Sequence, residues 1–268
     1  MLCAMSKTSL LAAAILLVMA TRPALAQDSV YIEELTWTEI RDAIQAGKTT
    51  VILPTGGTEQ NGPHMVMGKH NFIIHYTAGE IAKTLGNALV GPVVAFVPEG
   101  NLDPPTGHMR FPGAITLPEE HYQKLLEYTA RSFKVNGFKD IVMIGDSGGN
   151  QKGMAAVAGT LNKEWAGTGV RVHFIPEYYS SGRFSDYLVK EGYTKEQIGS
   201  HAGITDTSQL WFVNPKMIRP DKRANMGGFD GSGVTGDPTK ASPELGKIGI
   251  QFKIDVTIEA LHKSMAAK

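Results

Sequence analysis

Three polar segments of this chain carry side chains that could do chemistry. Thr58-Glu59-Gln60-Asn61-Gly62-Pro63-His64 places a carboxylate, two amides and an imidazole close together, and His70 follows a few residues later. Gly145-Asp146-Ser147-Gly148-Gly149-Asn150 joins a carboxylate and a hydroxyl to two consecutive glycines. His201-Ala202-Gly203-Ile204-Thr205-Asp206-Thr207-Ser208 adds a further imidazole and carboxylate. Such groups move protons near neutral pH or hold divalent ions. Each segment alone also has a plain structural reading. A buried His or Asp beside a turn is commonly satisfied by its neighbours. Gly148-Gly149 could supply backbone freedom for a tight turn or cradle an anion at a helix start. It lacks the Lys-Ser/Thr of a phosphate-binding loop and the spacing of a dinucleotide fingerprint, which argues against a nucleotide site.

The elements that must position these segments follow from the hydrophobic pattern. Thr50 to Pro54, Ala88 to Val97 (interrupted by Gly91-Pro92), Lys139 to Gly145 and Val170 to Ile175 read as buried strands. Thr38 to Ala46, Asn71 to Leu85, Pro118 to Asn136, Asn150 to Trp165 and Ala241 to Ala267 have helical character. Continuous apolar runs such as VVAFV and IVMI suit strands covered on both sides. The alternation predicts an α/β fold, a mostly parallel sheet flanked by helices in three layers. Residues 225–241 are rich in Gly, Pro, Asp and Thr and read as a long loop. Ligand sites in such sheets gather at the carboxyl ends of the strands, where residues 55–70 and 145–150 both fall.

Composition narrows the class. The 268 residues hold 26 basic and 26 acidic side chains, so no charge excess points to nucleic acid or an anionic membrane. Lys7, the apolar run Ser9 to Ala20 and the small residues of Ala24-Leu25-Ala26 have the layout of a secretory signal peptide. The expected organisation is therefore a cleaved segment, 1–26, and a single domain, 27–268, in the periplasm or secreted. The only cysteine, Cys3, falls in the cleaved part, so a metal site would be built from His, Asp, Glu and Asn.

Taken together and in order, the segments resemble the creatininase family of amidohydrolases, and the resemblance runs through most of residues 35–265. Glu59-Gln60-Asn61-Gly62-Pro63-His64-Met65-Val66, ending at His70, resembles the family's Glu-x-His-Gly-Pro-His-Leu-Pro segment and its terminal Asp. Gly145 to Asn150 is similar to Asn-Gly-His-Gly-Gly-Asn, and His201 to Ser208 to His-Ala-Gly-x-x-Glu-Thr-Ser. Phe111-Pro112-Gly113-Ala114-Ile115-Thr116-Leu117, preceded by His108, and Gly236-Asp237-Pro238 with Ala241 match two further stretches. The resemblance implies a creatininase-like fold, a binuclear divalent-metal centre and hydrolysis of a small cyclic or linear amide. It also implies a homo-oligomer, a hexamer in many relatives.

The differences fall on the implied ligands. Asn61 stands for a His, His70 for the bridging Asp, Ser147 for the turn His and Asp206 for the late Glu. Three expectations follow. One zinc or manganese ion is held by Glu59, His70 and Asp206, with Asp146 as a further ligand or as base for the attacking water. Alternatively, the pocket binds a small molecule without turnover. In the third, Ser147 is a nucleophile, with His70 or His64 as base and Asp146 or Glu59 orienting it. Asn61, Asn150 and His201 are expected to touch substrate, and His108 and His201 could instead orient ligands. His75, His121, His173 and His262 read as packing or surface residues. Tyr178, Tyr179, Trp211 and Phe212 read as core or subunit contacts.

Overall fold

The strands are buried almost throughout, and their side chains alternate between two faces, which sets the layers. The computed structural model describes residues 29–224 and 227–267; the expected export segment lies outside them. Strands β1 (Thr50–Thr55), β2 (Ala88–Val90), β3 (Asp140–Gly145) and β4 (Arg171–Phe174) form one parallel sheet in the order β2-β1-β3-β4. Successive strand residues face opposite sides. Val51, Leu53, Ile141 and Met143 enter one core, while Ile52, Val142 and Ile144 enter the other.

Ten helices complete the described fold: α1 (Trp37–Gln45), α2 (Lys69–Leu85), α3 (Glu119–Asn136), α4 (Gln151–Glu164), α5 (Glu177–Ser180), α6 (Arg183–Lys190), α7 (Lys195–Ile198), α8 (Ile204–Val213), α9 (Gly228–Ser232) and α10 (Pro243–Ala266). Helices α1, α3 and α4 cover one face through Ile40, Ile44, Tyr122, Leu126, Phe133, Met154 and Leu161. Helices α2, α8 and α10 cover the other through Ile73, Ile74, Ile81, Leu210, Ile250 and Ile254. Each fully buried aliphatic side chain of this kind contributes about 1.5–3 kcal/mol. Thr36 and Glu39 form a reciprocal capping box at the start of α1. Ser242 caps α10, with Pro243 at its first position. No helix among the described residues is long and apolar enough to cross a membrane.

The three-layer α/β architecture is the one expected, with local corrections. The second strand stops at Val90, because Pro92 has no N–H to continue the ladder. The chain still runs beside β1, where the Val94 N–H donates to the Pro54 carbonyl at 2.9 Å. Helix α2 starts at Lys69 rather than Asn71, which places Lys69 and His70 in its first turn. The expected 225–241 loop contains α9 and a short 3-10 turn at Pro238–Lys240.

Candidate active site

Two asparagines tie the loops at the carboxyl ends of β1 and β3. Asn150 Nδ2 donates to the Thr55 carbonyl at 2.9 Å and lies 2.8 Å from both Thr55 Oγ1 and the Gly56 carbonyl. Asn61 Nδ2 donates to the Glu59 and Val66 carbonyls at 2.9 and 3.1 Å, closing the loop that carries Glu59. Both residues are fully buried and neither lines the cavity described below. The two expected substrate contacts therefore sit where they fasten backbone. His64 is likewise fully buried, with Nε2 2.9 Å from Thr207 Oγ1, and joins this loop to α8. Burial and the nearby Arg223 lower its pKa to about 4, so the ring is neutral.

Above these ties lies a network of alternating charges. His70 donates from Nδ1 to Asp146 Oδ2 at 2.6 Å and from Nε2 to Glu59 Oε1 at 2.8 Å. Both partners are carboxylates, so only the doubly protonated ring satisfies both contacts. Burial and Lys69 oppose that charge, yet Glu59 and Asp146 prevail and raise the His70 pKa to about 9. Lys69 Nζ lies 2.8 Å from Asp206 Oδ2 and 3.2 Å from Glu59 Oε1, with its side chain 1% exposed. Lys253 Nζ reaches Asp146 Oδ1 at 2.8 Å and lies over the Tyr178 ring. Burial works against ionisation of Glu59, Asp146 and Asp206, but these cations outweigh it and hold all three carboxyls below their usual range. Three anions thus face three side-chain cations.

Glu59 also faces two further imidazoles. His108 Nε2 lies 3.2 Å from Glu59 Oε2, and His201 Nδ1 lies 3.6 Å from Glu59 Oε1. Burial lowers both histidines, His201 to about 4, so both rings are neutral. His201 Nε2 lies 2.9 Å from the Gln60 backbone carbonyl and 3.1 Å from Gln60 Nε2. The tautomer that donates from Nε2 to that carbonyl turns the Nδ1 lone pair toward the space beside the Glu59 carboxylate. A carboxylate with two neutral imidazoles is a donor set suited to zinc or manganese, and their ligand atoms lie within 4.8 Å of one another. These residues fit one divalent ion. The expected set of Glu59, His70 and Asp206 is arranged differently. Both His70 nitrogens carry protons toward carboxylates, and the Lys69 ammonium stands between Glu59 and Asp206.

Glu99 completes the group. Its side chain is buried and Oε1 has no hydrogen-bond partner among the described residues. Burial and the Glu59 charge raise its pKa to about 9, so it carries a proton at neutral pH. A Cβ on Gly57 would lie 2.4 Å from Glu99 Oε1, so glycine there makes room for this carboxyl.

The charged network, His108, His201 and Glu99 open into one cavity of about 850 Å³. Glu59, His70, Asp146, Ser147, His201 and Asp206 line it, together with Lys69, Glu99 and His108. Tyr178 and Tyr179, read from sequence as core or subunit contacts, also line it; Tyr178 belongs to the core as well. Phe229 on α9 packs edge-on against His108 and His201, with centroids 5.3 and 5.6 Å away. Ser147 has no available base in His70, whose nitrogens are both engaged, and His64 bonds instead to Thr207. Sequence reading passed over Lys69, Glu99, Lys253 and Phe229. Only Lys69 carried a local signal, a cation beside His70 where a helix start ordinarily favours acids.

The creatininase family model, described as creatinine amidohydrolase, matches residues 33–261, and the chain belongs to that family. A mycofactocin precursor peptide peptidase from Mycolicibacterium smegmatis is 26% identical over 74% of this chain and 78% of its own length. A creatinine amidohydrolase from Pseudomonas putida is 24% identical over 72% of this chain and 75% of its own length. Among solved structures, a manganese creatininase superposes with a TM-score of 0.73 at 21% identity, over 89% of this chain and 99% of that one. A mutant creatininase of Zn-Zn type gives 0.71 at 20% identity, over 90% of this chain and the whole of that one.

Proposed function

We propose that this protein hydrolyses a carbon–nitrogen bond in a small cyclic or linear amide. One observation carries the reading. The Glu59 carboxylate, two neutral imidazoles and the protonated Glu99 carboxyl all line one cavity. The names of the relatives, a peptidase and an amidohydrolase, support the same bond type. Glu59, His108 and His201 would hold one zinc or manganese ion. Such an ion supplies Lewis-acid chemistry, polarising an amide carbonyl and acidifying water. With an ion bound, His201 would ligate through Nδ1 while Nε2 donates to the Gln60 carbonyl 2.9 Å away. The protonated Glu99 carboxyl would supply a proton to the departing amine. His70, fixed between Asp146 and Glu59, orients the Glu59 carboxylate. The roles foreseen for Asp146 and Ser147 become anchoring His70 and lining the substrate wall.

The test is hydrolysis of a panel of lactams and short peptides, with and without added zinc or manganese. Glu59→Gln is expected to lower kcat/KM by about 10²–10⁴, the range for removing a positioned catalytic group. Wild-type turnover matched by Glu59→Gln would refute the assignment.

A second reading, small-molecule binding without turnover, is favoured by the closed network of three carboxylates and three cations, which is satisfied with no ion. It is distinguished by ligand-induced thermal stabilisation with no product formed on the same panel. We further propose that the protein is exported to the periplasm as a single domain, residues 27–268, and assembles as a homo-oligomer.

A further inference from the structure

We propose that Lys69 is a built-in cation that keeps divalent metal out of the space between Glu59 and Asp206, leaving Glu59–His108–His201 as the only ion site of the cavity. The inference concerns ion occupancy and rests on the proposed reading of Glu59, His108 and His201 as an ion site.

The geometry is specific. Lys69 Nζ touches Asp206 Oδ2 at 2.8 Å and Glu59 Oε1 at 3.2 Å, bringing together carboxylates 147 residues apart in sequence. The same Asp206 oxygen accepts the Ala202 N–H at 2.9 Å. That contact uses a backbone turned into the left-handed region, at φ 53, the only such non-glycine residue described. The Glu59 oxygen is shared with His70 Nε2 at 2.8 Å. An ion between the two carboxylates would displace the ammonium or share its contacts, and beside a fixed positive charge it is repelled. Lys69 has little room to withdraw, because its side chain is 1% exposed and begins at the first residue of α2. The Zn-Zn form of a structurally similar creatininase shows that this fold can accept two ions. Here one of the cations is part of the chain.

The experiment counts ions. Mature wild-type protein and variants are dialysed against zinc chloride or manganese chloride, and bound metal per chain is measured by plasma spectrometry. Asp206→Asn is expected to leave the wild-type count unchanged. Lys69→Met is expected to gain one further ion per chain, and Lys69→Met/Asp206→Asn to lose it again. Lys69→Arg, which keeps the charge, is expected to match wild type. A fall in wild-type metal on Asp206→Asn, or no gain in a folded Lys69→Met, overturns the proposal. If Lys69→Met fails to fold, the Asp206→Asn comparison decides by itself. Loss of the count on His108→Ala or His201→Ala reports on the other site, so failure of the metal reading and failure of this one are separable.

Discussion

At the scale of single residues, the site behaves as a set of linked charges with an unusual pH dependence. His70 and Glu99 both have folded-state pKa values raised to about 9. The stability each contributes is complete below its unfolded-state pKa, about 6.5 for His and 4.3 for Glu, and is lost as pH rises through 9. Glu59, Asp146 and Asp206 are shifted the opposite way and contribute stability that is lost as pH falls through their depressed pKa values. Urea denaturation should therefore show stability declining from mildly acidic pH toward pH 9, on the order of 1.4 kcal/mol for each unit by which a pKa is shifted. Glu99→Gln keeps a neutral side chain of the same shape and should flatten that decline. An unchanged slope would mean that Glu99 is ionised in the folded protein. The sequence revealed the residues of the polar loops but not their partners. His70 was visible as an imidazole where relatives carry a bridging Asp. Its pairing with Asp146, 76 positions away, depends on the register of β1 against β3. Glu99 lay outside every polar cluster and is defined only by its burial.

At the scale of elements, the strand ends and the loop beyond β2 form a tight joint. Gly149, in the turn before α4, lies so near the Pro98 carbonyl that an added Cβ would stand 2.3 Å from that oxygen. Pro98 immediately precedes Glu99, so a displacement there carries the carboxyl with it. Gly149→Ala is expected to cost about 1–3 kcal/mol, the usual range for overpacking a close contact, and to lower turnover further than that loss of stability explains. Thermal melting and kinetics on the same preparation would separate the two effects. The sequence identified strands and long helices well, because their apolar periods are strong over six to eighteen residues. It was weaker where tertiary contacts decide. Helix α9 is five residues long, with glycines at both ends, and its composition is that of a loop. It is held in place by Arg110, which pairs with Asp230 at 2.7 Å and lies over the Phe229 ring. No local pattern encodes that clamp.

At the scale of the whole molecule, the sheet and its two cores account for family membership, whereas export and assembly rest on other grounds. N-terminal sequencing of protein recovered from an exporting host is expected to begin at Gln27, and a retained Met1 or Met5 would contradict cleavage. Light scattering of that mature form is expected to give several times the mass of one chain, and a monomer would remove the oligomer from the account. The fold class was legible because parallel strands buried on both faces leave continuous apolar runs in the sequence. The change in the ligand positions was only half legible. The replaced residues Asn61, His70 and Ser147 could be read directly, but the carboxylates that Lys69 joins, Glu59 and Asp206, meet only through the fold.

That lysine has a consequence for how the site comes into being. A metal must be acquired after synthesis, in competition with every other ligand in the compartment, and it can be stripped away again. An ammonium tethered to the first turn of α2 arrives with the polypeptide, in fixed stoichiometry, the moment Glu59 and Asp206 are brought together by folding. This half of the cavity is mature as soon as it is folded. It needs no loading step, and no chelator can extract it.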